Sequence, residues 1–140
     1  GVAEAGLSRL GFQDRISMLL TPPWMYGAVG QGAIGIECRQ GDDVTRETLA
    51  RISDADDFAA TAAERSLMRE LKAGCHAPVG TRTLRTENGL KLYGVVLSTD
   101  GTVRVAAKET GDPAEPERLG VRVAYLLCQD GAETLLAPYE

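Results

Sequence analysis

Apolar residues return every three or four positions through residues 53–73: Phe58, Ala62, Ala63, Leu67 and Leu71. That period puts them on one stripe of an α-helix. Ser53 or Asp54 can cap its first turn, and Asp56 and Asp57 suit the positive end of its dipole. Beyond Pro78 the period drops to two. Residues 79–86, 90–98 and 102–110 read as strands, with Asn88-Gly89 and Asp100-Gly101 as hairpin turns between them. The middle strand is apolar on both faces (Leu92, Val96; Val95, Leu97), so it belongs in the centre. The third sets Val103, Val105 and Ala107 against Arg104, Ala106 and Lys108. A loop over 111–116 leads to a last helix over 116–130, with Leu119, Val123 and Leu127 inward and Gly131 as its stop. Helix, three-strand meander and helix make a small α+β sandwich.

The pattern before residue 53 is weaker. Val2, Ala5 and Leu10 have helical spacing, and Gly11 can end that helix. Ile16, Leu19 and Leu20 form a short apolar patch that Pro22-Pro23 closes. Gly30, Gly32 and Gly35 crowd the next segment. Such crowding suits a hinge, a backbone that approaches a ligand, or a loop into a short buried strand over 34–38. The glycines satisfy Gly-x-Gly-x-x-Gly literally. The residues after them are strand-like rather than helical, which argues against a dinucleotide site. A turn at 41–43 precedes a short helix over 45–52, with Thr45 as its cap.

Composition narrows the function. The chain has 140 residues, 44% hydrophobic and 25% charged, enough for one domain with a modest core. Its net charge of −5 disfavours sequence-independent nucleic-acid binding. No apolar run is long enough to span a membrane, and no signal peptide is visible. The chain opens at Gly1 without a methionine, which reads as a fragment or a processed product. Cys38, Cys75 and Cys128 form no Cys-x-x-Cys pair and no even disulfide set, so reduced thiols in a cytosolic protein are expected. The single histidine, His76, rules out a His-rich metal site, and its place beside Cys75 is not a zinc-ligand spacing.

Candidate chemistry centres on residues 71–80, LKAGCHAPVG. The long helix is expected to stop at Gly74, Cys75 follows, and Pro78 blocks further helix. One sulfur therefore sits on a short stiff loop between helix and sheet. The negative end of a helix does not favour a resting thiolate there. Cys38 and Cys128 fall in apolar periodic segments and are expected to be buried structural thiols. Glu64 and Arg65 flank the apolar stripe, where a surface or domain-contact ion pair is expected rather than catalysis.

Two stretches, GAVGQGAIGIECR at 27–39 and AERSLMRELKAGCHAPVG at 63–80, closely resemble the C-terminal half of the porphobilinogen deaminase (hydroxymethylbilane synthase) family. AGLSRLG at 5–11 extends the resemblance towards the start. The family joins four porphobilinogen molecules head to tail with loss of ammonia, giving a linear tetrapyrrole. It builds that chain on a dipyrromethane cofactor held through a thioether to the cysteine of a Gly-Gly-Cys loop. The resemblance implies that Cys75 is that cysteine, with Ala73-Gly74 in place of the two glycines. It places Gln31 and Gly32 in a cleft and hinge segment, and Val2 and Ala3 along the same cleft. It divides the chain into the end of a second domain (1–27), a hinge and return segment to a first domain (28–52), and a cofactor-anchoring α+β domain (53–140). The family's catalytic aspartate and most of its carboxylate-binding arginines lie in the N-terminal half. No catalytic residue is therefore assigned here, and the chain alone is expected to be inactive. The implied partners are porphobilinogen, the growing pyrrole chain and the N-terminal portion of the same enzyme. The complete enzyme is expected to be a cytoplasmic monomer that engages neither nucleic acid nor membrane. Two other readings stay open: an α+β ligand-binding or regulatory module without chemistry, and a thiol redox domain, against which stands the lack of a resolving cysteine near Cys75.

Overall fold

The computed structural model describes residues 2–74 and 76–139. Along them lie helices α1 (Glu4–Arg9), α2 (Asp43–Ala50) and α3 (Ala55–Glu70), strands β1 (Val79–Thr86), β2 (Gly89–Leu97) and β3 (Arg104–Gly111), and helices α4 (Pro116–Gln129) and α5 (Ala132–Leu136). The strands form one antiparallel sheet in the order β1-β2-β3, with β2 central as expected. The α+β architecture read from the sequence is the one observed.

α3 and α4 meet at their smallest residues. Gly120 faces the Ala63 carbonyl, and a Cβ there would come within 2.7 Å of the Leu67 nitrogen. Only glycine allows this approach. Ser66 Oγ, buried in the contact, donates to the Glu117 carbonyl at 2.9 Å. This crossing selects the buried stripe of α3, which is Ala59, Ala63, Ser66 and Leu67, continued by its C-cap Leu71. Phe58, expected on that stripe, is instead 70% exposed, because the adjacent Ala59 takes the inward position. Leu119, Val123 and Leu127 of α4 are fully buried, as expected, and join Leu90, Leu92 and Val96 of β2 in the core.

α3 is capped as expected: Asp54 Oδ1 accepts from the backbone nitrogens of Asp56 and Asp57 at 2.9 and 3.0 Å. The second hairpin differs. β3 starts at Arg104, which leaves Val103 outside the strand and exposed. Asp100 organises that turn, accepting at one oxygen from the Ser98 hydroxyl and from the Thr102 nitrogen and hydroxyl. These bonds, the Ser98 hydroxyl foremost, lower its pKa to about 2. The chain also continues past Gly131 into α5, whose Ala132 and Leu136 close the core. A helix this short carries too little periodicity to be read from sequence.

Residues 2–52 are largely exposed. The cap of α2 is Asp42, which accepts from the Thr45 nitrogen and hydroxyl, so the helix starts earlier than expected and Thr45 lies inside it. The strand expected over 34–38 does not form. Ile34 is 89% exposed, and no neighbouring strand among the described residues offers the ladder it would need. Cys38 on that segment is exposed, not buried.

Candidate functional site

The loop between α3 and β1 is tied at both ends. α3 ends at Glu70, before the expected stop at Gly74, and Lys72 makes the reversal with a left-handed φ of +50°. The Ala73 nitrogen reaches back to the Met68 carbonyl at 3.3 Å, closing the helix end. The Ala77 nitrogen donates to the Gly74 carbonyl at 3.0 Å, and the Pro78 carbonyl accepts from Leu97 of β2 at 3.0 Å. Cys75 itself lies outside the described residues. Its neighbours Gly74 and His76 are both exposed. A Cβ at Gly74 would stand 3.6 Å from the Tyr139 carbonyl, so the C-terminal turn borders the loop.

A second segment docks where this loop enters the sheet. The Gly27 carbonyl accepts from the Thr81 nitrogen at 2.8 Å, forming an antiparallel bridge to the free edge of β1. Tyr26 lies against Gly80, where a Cβ would come within 2.7 Å of its own. The Arg104 guanidinium sits over the Tyr26 ring, 5.8 Å from its centre. The Thr81 hydroxyl is buried with no partner among the described residues.

From Gly27 the chain makes a tight turn. The Gln31 nitrogen donates to the Ala28 carbonyl at 3.0 Å, and the Gln31 side-chain oxygen accepts from the Ala28 nitrogen at 2.9 Å. With that oxygen engaged, the donor this exposed side chain retains is its amide nitrogen. The Gly30 nitrogen donates to Glu64 Oε2 at 2.8 Å, and Glu64 Oε1 accepts from the Thr83 hydroxyl at 2.8 Å. Gly32 comes next with φ +86° and no heavy atom within 4 Å of its Cβ position.

The fold thus docks the turn that carries Gln31, through Tyr26, Gly27 and Gly30, beside the strand that leaves the Cys75 loop, and leaves Gly32 free of contacts around its Cβ position. It does not bring Val2 and Ala3 there. They are exposed at the start of α1, and among the described elements α1 packs on the 3-10 turn Gln13–Arg15. Glu64, expected in a surface or domain-contact ion pair, is partly buried in a contact between elements, and among the described residues both of its hydrogen-bond partners are neutral donors. The sequence signal for this is its place beside the buried stripe. The partner itself lies 34 positions upstream, beyond any local pattern.

The remaining groups offer little chemistry. Cys128 is half-buried, and burial together with the charge of Glu133 pushes its thiol up. No group of three or more His, Cys, Asp or Glu among the described residues could hold a metal. No helix among the described residues is long and apolar enough to cross a membrane. A shallow groove between α3 and the start of α4, lined by Ala55, Phe58, Pro113 and Pro116, has no cationic group on its walls.

Comparison with known proteins finds two family matches. Residues 58–129 match the model described as porphobilinogen deaminase, C-terminal domain. Residues 2–47 match the one described as porphobilinogen deaminase, dipyromethane cofactor binding domain. The chain is 42% identical over 135 residues to the porphobilinogen deaminase of Syntrophobacter fumaroxidans, covering 96% of this chain and 44% of that protein. It is 41% identical to that of a Nostoc species, covering 96% and 42%. It is 43% identical to that of Yarrowia lipolytica, covering 96% and 41%. The chain therefore spans less than half the length of these relatives.

Proposed function

The chain belongs to the porphobilinogen deaminase family, and we propose that it is the cofactor-bearing part of a hydroxymethylbilane synthase. The complete enzyme condenses four porphobilinogen molecules with release of ammonia into a linear tetrapyrrole. Its dipyrromethane, when bound, supplies the primer from which that chain grows. Cys75 holds it through a thioether. Residues 1–27 belong to a second domain, 28–52 return to a first, and 53–140 form the anchoring domain.

The observation that carries this reading is the docking of the 26–31 segment on β1, the strand that leaves the cysteine loop, through Gly27 and Thr81 at 2.8 Å. The residues present fit the group. The loop flanking Cys75 is short, accessible and hydrogen-bonded at both ends, which suits an anchor. Gly74 presents no side chain to crowd the sulfur. Gln31 keeps its amide nitrogen as a donor for pyrrole carboxylates, and Gly32 supplies a left-handed backbone beside it. A thiol attached once to a reactive electrophile does not need a strongly depressed pKa. Val2 and Ala3 meet the same cleft through contacts supplied by the rest of the enzyme.

The partners are porphobilinogen, the growing pyrrole chain and the N-terminal portion of the same polypeptide. Trp24 and Ile34, each 89% exposed, are apolar surfaces for that portion to cover. The exposed free thiol of Cys38 suits a reducing cytoplasm. The complete enzyme works as a monomer, and this chain by itself has no deaminase activity. Intact-mass measurement of the complete enzyme tests the central assignment. Cys75→Ser should lose the cofactor mass, while Cys38→Ser and Cys128→Ser keep it; an adduct retained in Cys75→Ser would sink the assignment.

A further inference from the structure

Glu64 sits on α3, the limb that enters the cysteine loop. Thr83 sits on β1, the limb that leaves it. The Glu64 carboxylate takes the Thr83 hydroxyl on one oxygen and the Gly30 N–H on the other, each at 2.8 Å. One side chain therefore ties both limbs of the loop to each other and to the turn that carries Gln31. No Lys or Arg among the described residues pairs with it. A partly buried carboxylate held by two neutral donors is a costly choice for mere surface solvation. Its geometry needs acceptors at both ends, which a carboxylate provides and an amide does not.

The neighbouring contacts act in the same direction. Tyr26 on Gly80, Gly27 on Thr81 and Gly30 on Glu64 bind the segment to the sheet domain up to Gly30, the residue before Gln31. Gly32, which follows Gln31, has a left-handed backbone and open space around it. Across it the Ala33 nitrogen donates to the Gly30 carbonyl at 3.1 Å, which closes the turn.

We propose that Glu64 is a positioning residue that holds Gln31 in fixed relation to the Cys75 loop. Residues 26–31 then move with the anchoring domain although they precede it in sequence. The kinetic consequence rests on the proposed function; the mechanical one does not. A Gln31 that loosens from the loop binds substrate less well without altering the chemistry, so the loss falls on KM.

Hydrogen exchange on this chain and kinetics on the complete enzyme test the two parts. In Glu64→Ala the Gly30 amide should exchange about 10–100-fold faster, the range for losing a hydrogen bond to a charged group, while Leu92 and Val96 amides stay protected. The complete Glu64→Ala enzyme should keep the cofactor mass on Cys75 and show KM for porphobilinogen raised about 10-fold with kcat within about twofold. Glu64→Gln keeps one acceptor and should fall between wild type and Glu64→Ala. Thr83→Val, which leaves the Gly30 bond in place but frees the carboxylate, should speed Gly30 exchange about 3–10-fold and serves if Glu64→Ala does not fold. Unchanged Gly30 exchange across these variants would overturn the latch. Faster exchange with native KM would overturn the positioning role. A wild-type enzyme that makes no tetrapyrrole would defeat the functional reading and leave the exchange result to decide the latch.

Discussion

Residues 2–52 and residues 53–139 use the same apolar side chains to opposite ends. In the second region Leu67, Leu92, Leu119 and Leu127 are fully buried. In the first, Val2, Leu10, Trp24, Ile34 and Ile36 face solvent. Hydrophobicity does not separate them; the presence of a packed neighbour does. α3 and α4 cover one face of a three-stranded meander, so each apolar row finds another. Elements in the first region are short, and among the described residues the 26–31 segment is the part that reaches the core domain through backbone bonds. That contrast agrees with a chain covering less than half of its relatives.

The sharpest way to break this comparison is a matched pair of truncations. Leu127→Ala should cost about 2–5 kcal/mol in urea unfolding, from lost burial and a cavity among Leu67, Val123 and β2. Ile34→Ala should change stability by no more than about 0.5 kcal/mol. Equal losses would mean that the first region is folded onto a core. Thiol labelling separates the regions by access. Cys38 should react with iodoacetamide at about pH 8 roughly 10-fold faster than Cys128, whose thiol is shielded and pushed up by burial and Glu133. Peptide mapping of the labelled chain reads each site, and equal rates would contradict the exposure of residues 34–39.

Smaller effects sharpen the loop and the hairpin. Lys72→Gly should stabilise the anchoring domain by about 0.5–1 kcal/mol, since Lys72 holds a left-handed φ of +50° that glycine adopts freely. A thermal melt decides it; destabilisation would show that the Lys72 side chain contributes more than the backbone costs. Asp100 gives a pH dependence. Its folded pKa, about 2, lies below the ordinary 3.8, so its contribution is present above the higher value and is lost as pH falls through the lower. Exchange at the Thr102 amide should therefore rise between about pH 4 and about pH 2, beyond the intrinsic trend, and Asp100→Asn should remove that dependence.

Local signals are legible where local physics decides. Asp54 caps α3 because its carboxylate reaches amides two and three residues on. The meander arises from alternation and turn residues, and the apolar double face of β2 places it centrally. The loop around Cys75 is visible as a glycine, a thiol and a proline between two periods. Phe58 departs from expectation because periodicity gives a stripe only to within one position, and the small-residue contact with Gly120 selects Ala59 instead. The helix stop departs from it because Lys72, not a glycine, takes the left-handed turn.

By itself, then, the sequence determined the α+β class, the order of strands and the loop that carries Cys75, because each rests on contacts between near neighbours in the chain. Only the tertiary structure decided that residues 34–38 stay irregular, that Cys38 is exposed, and that Glu64 bonds to Gly30 and Thr83. A strand exists only when another strand pairs with it, and a carboxylate's partner is whichever donor the fold delivers. For Glu64 those donors lie 34 residues before it and 19 after. No periodicity spans such distances, and packing alone brought the three together.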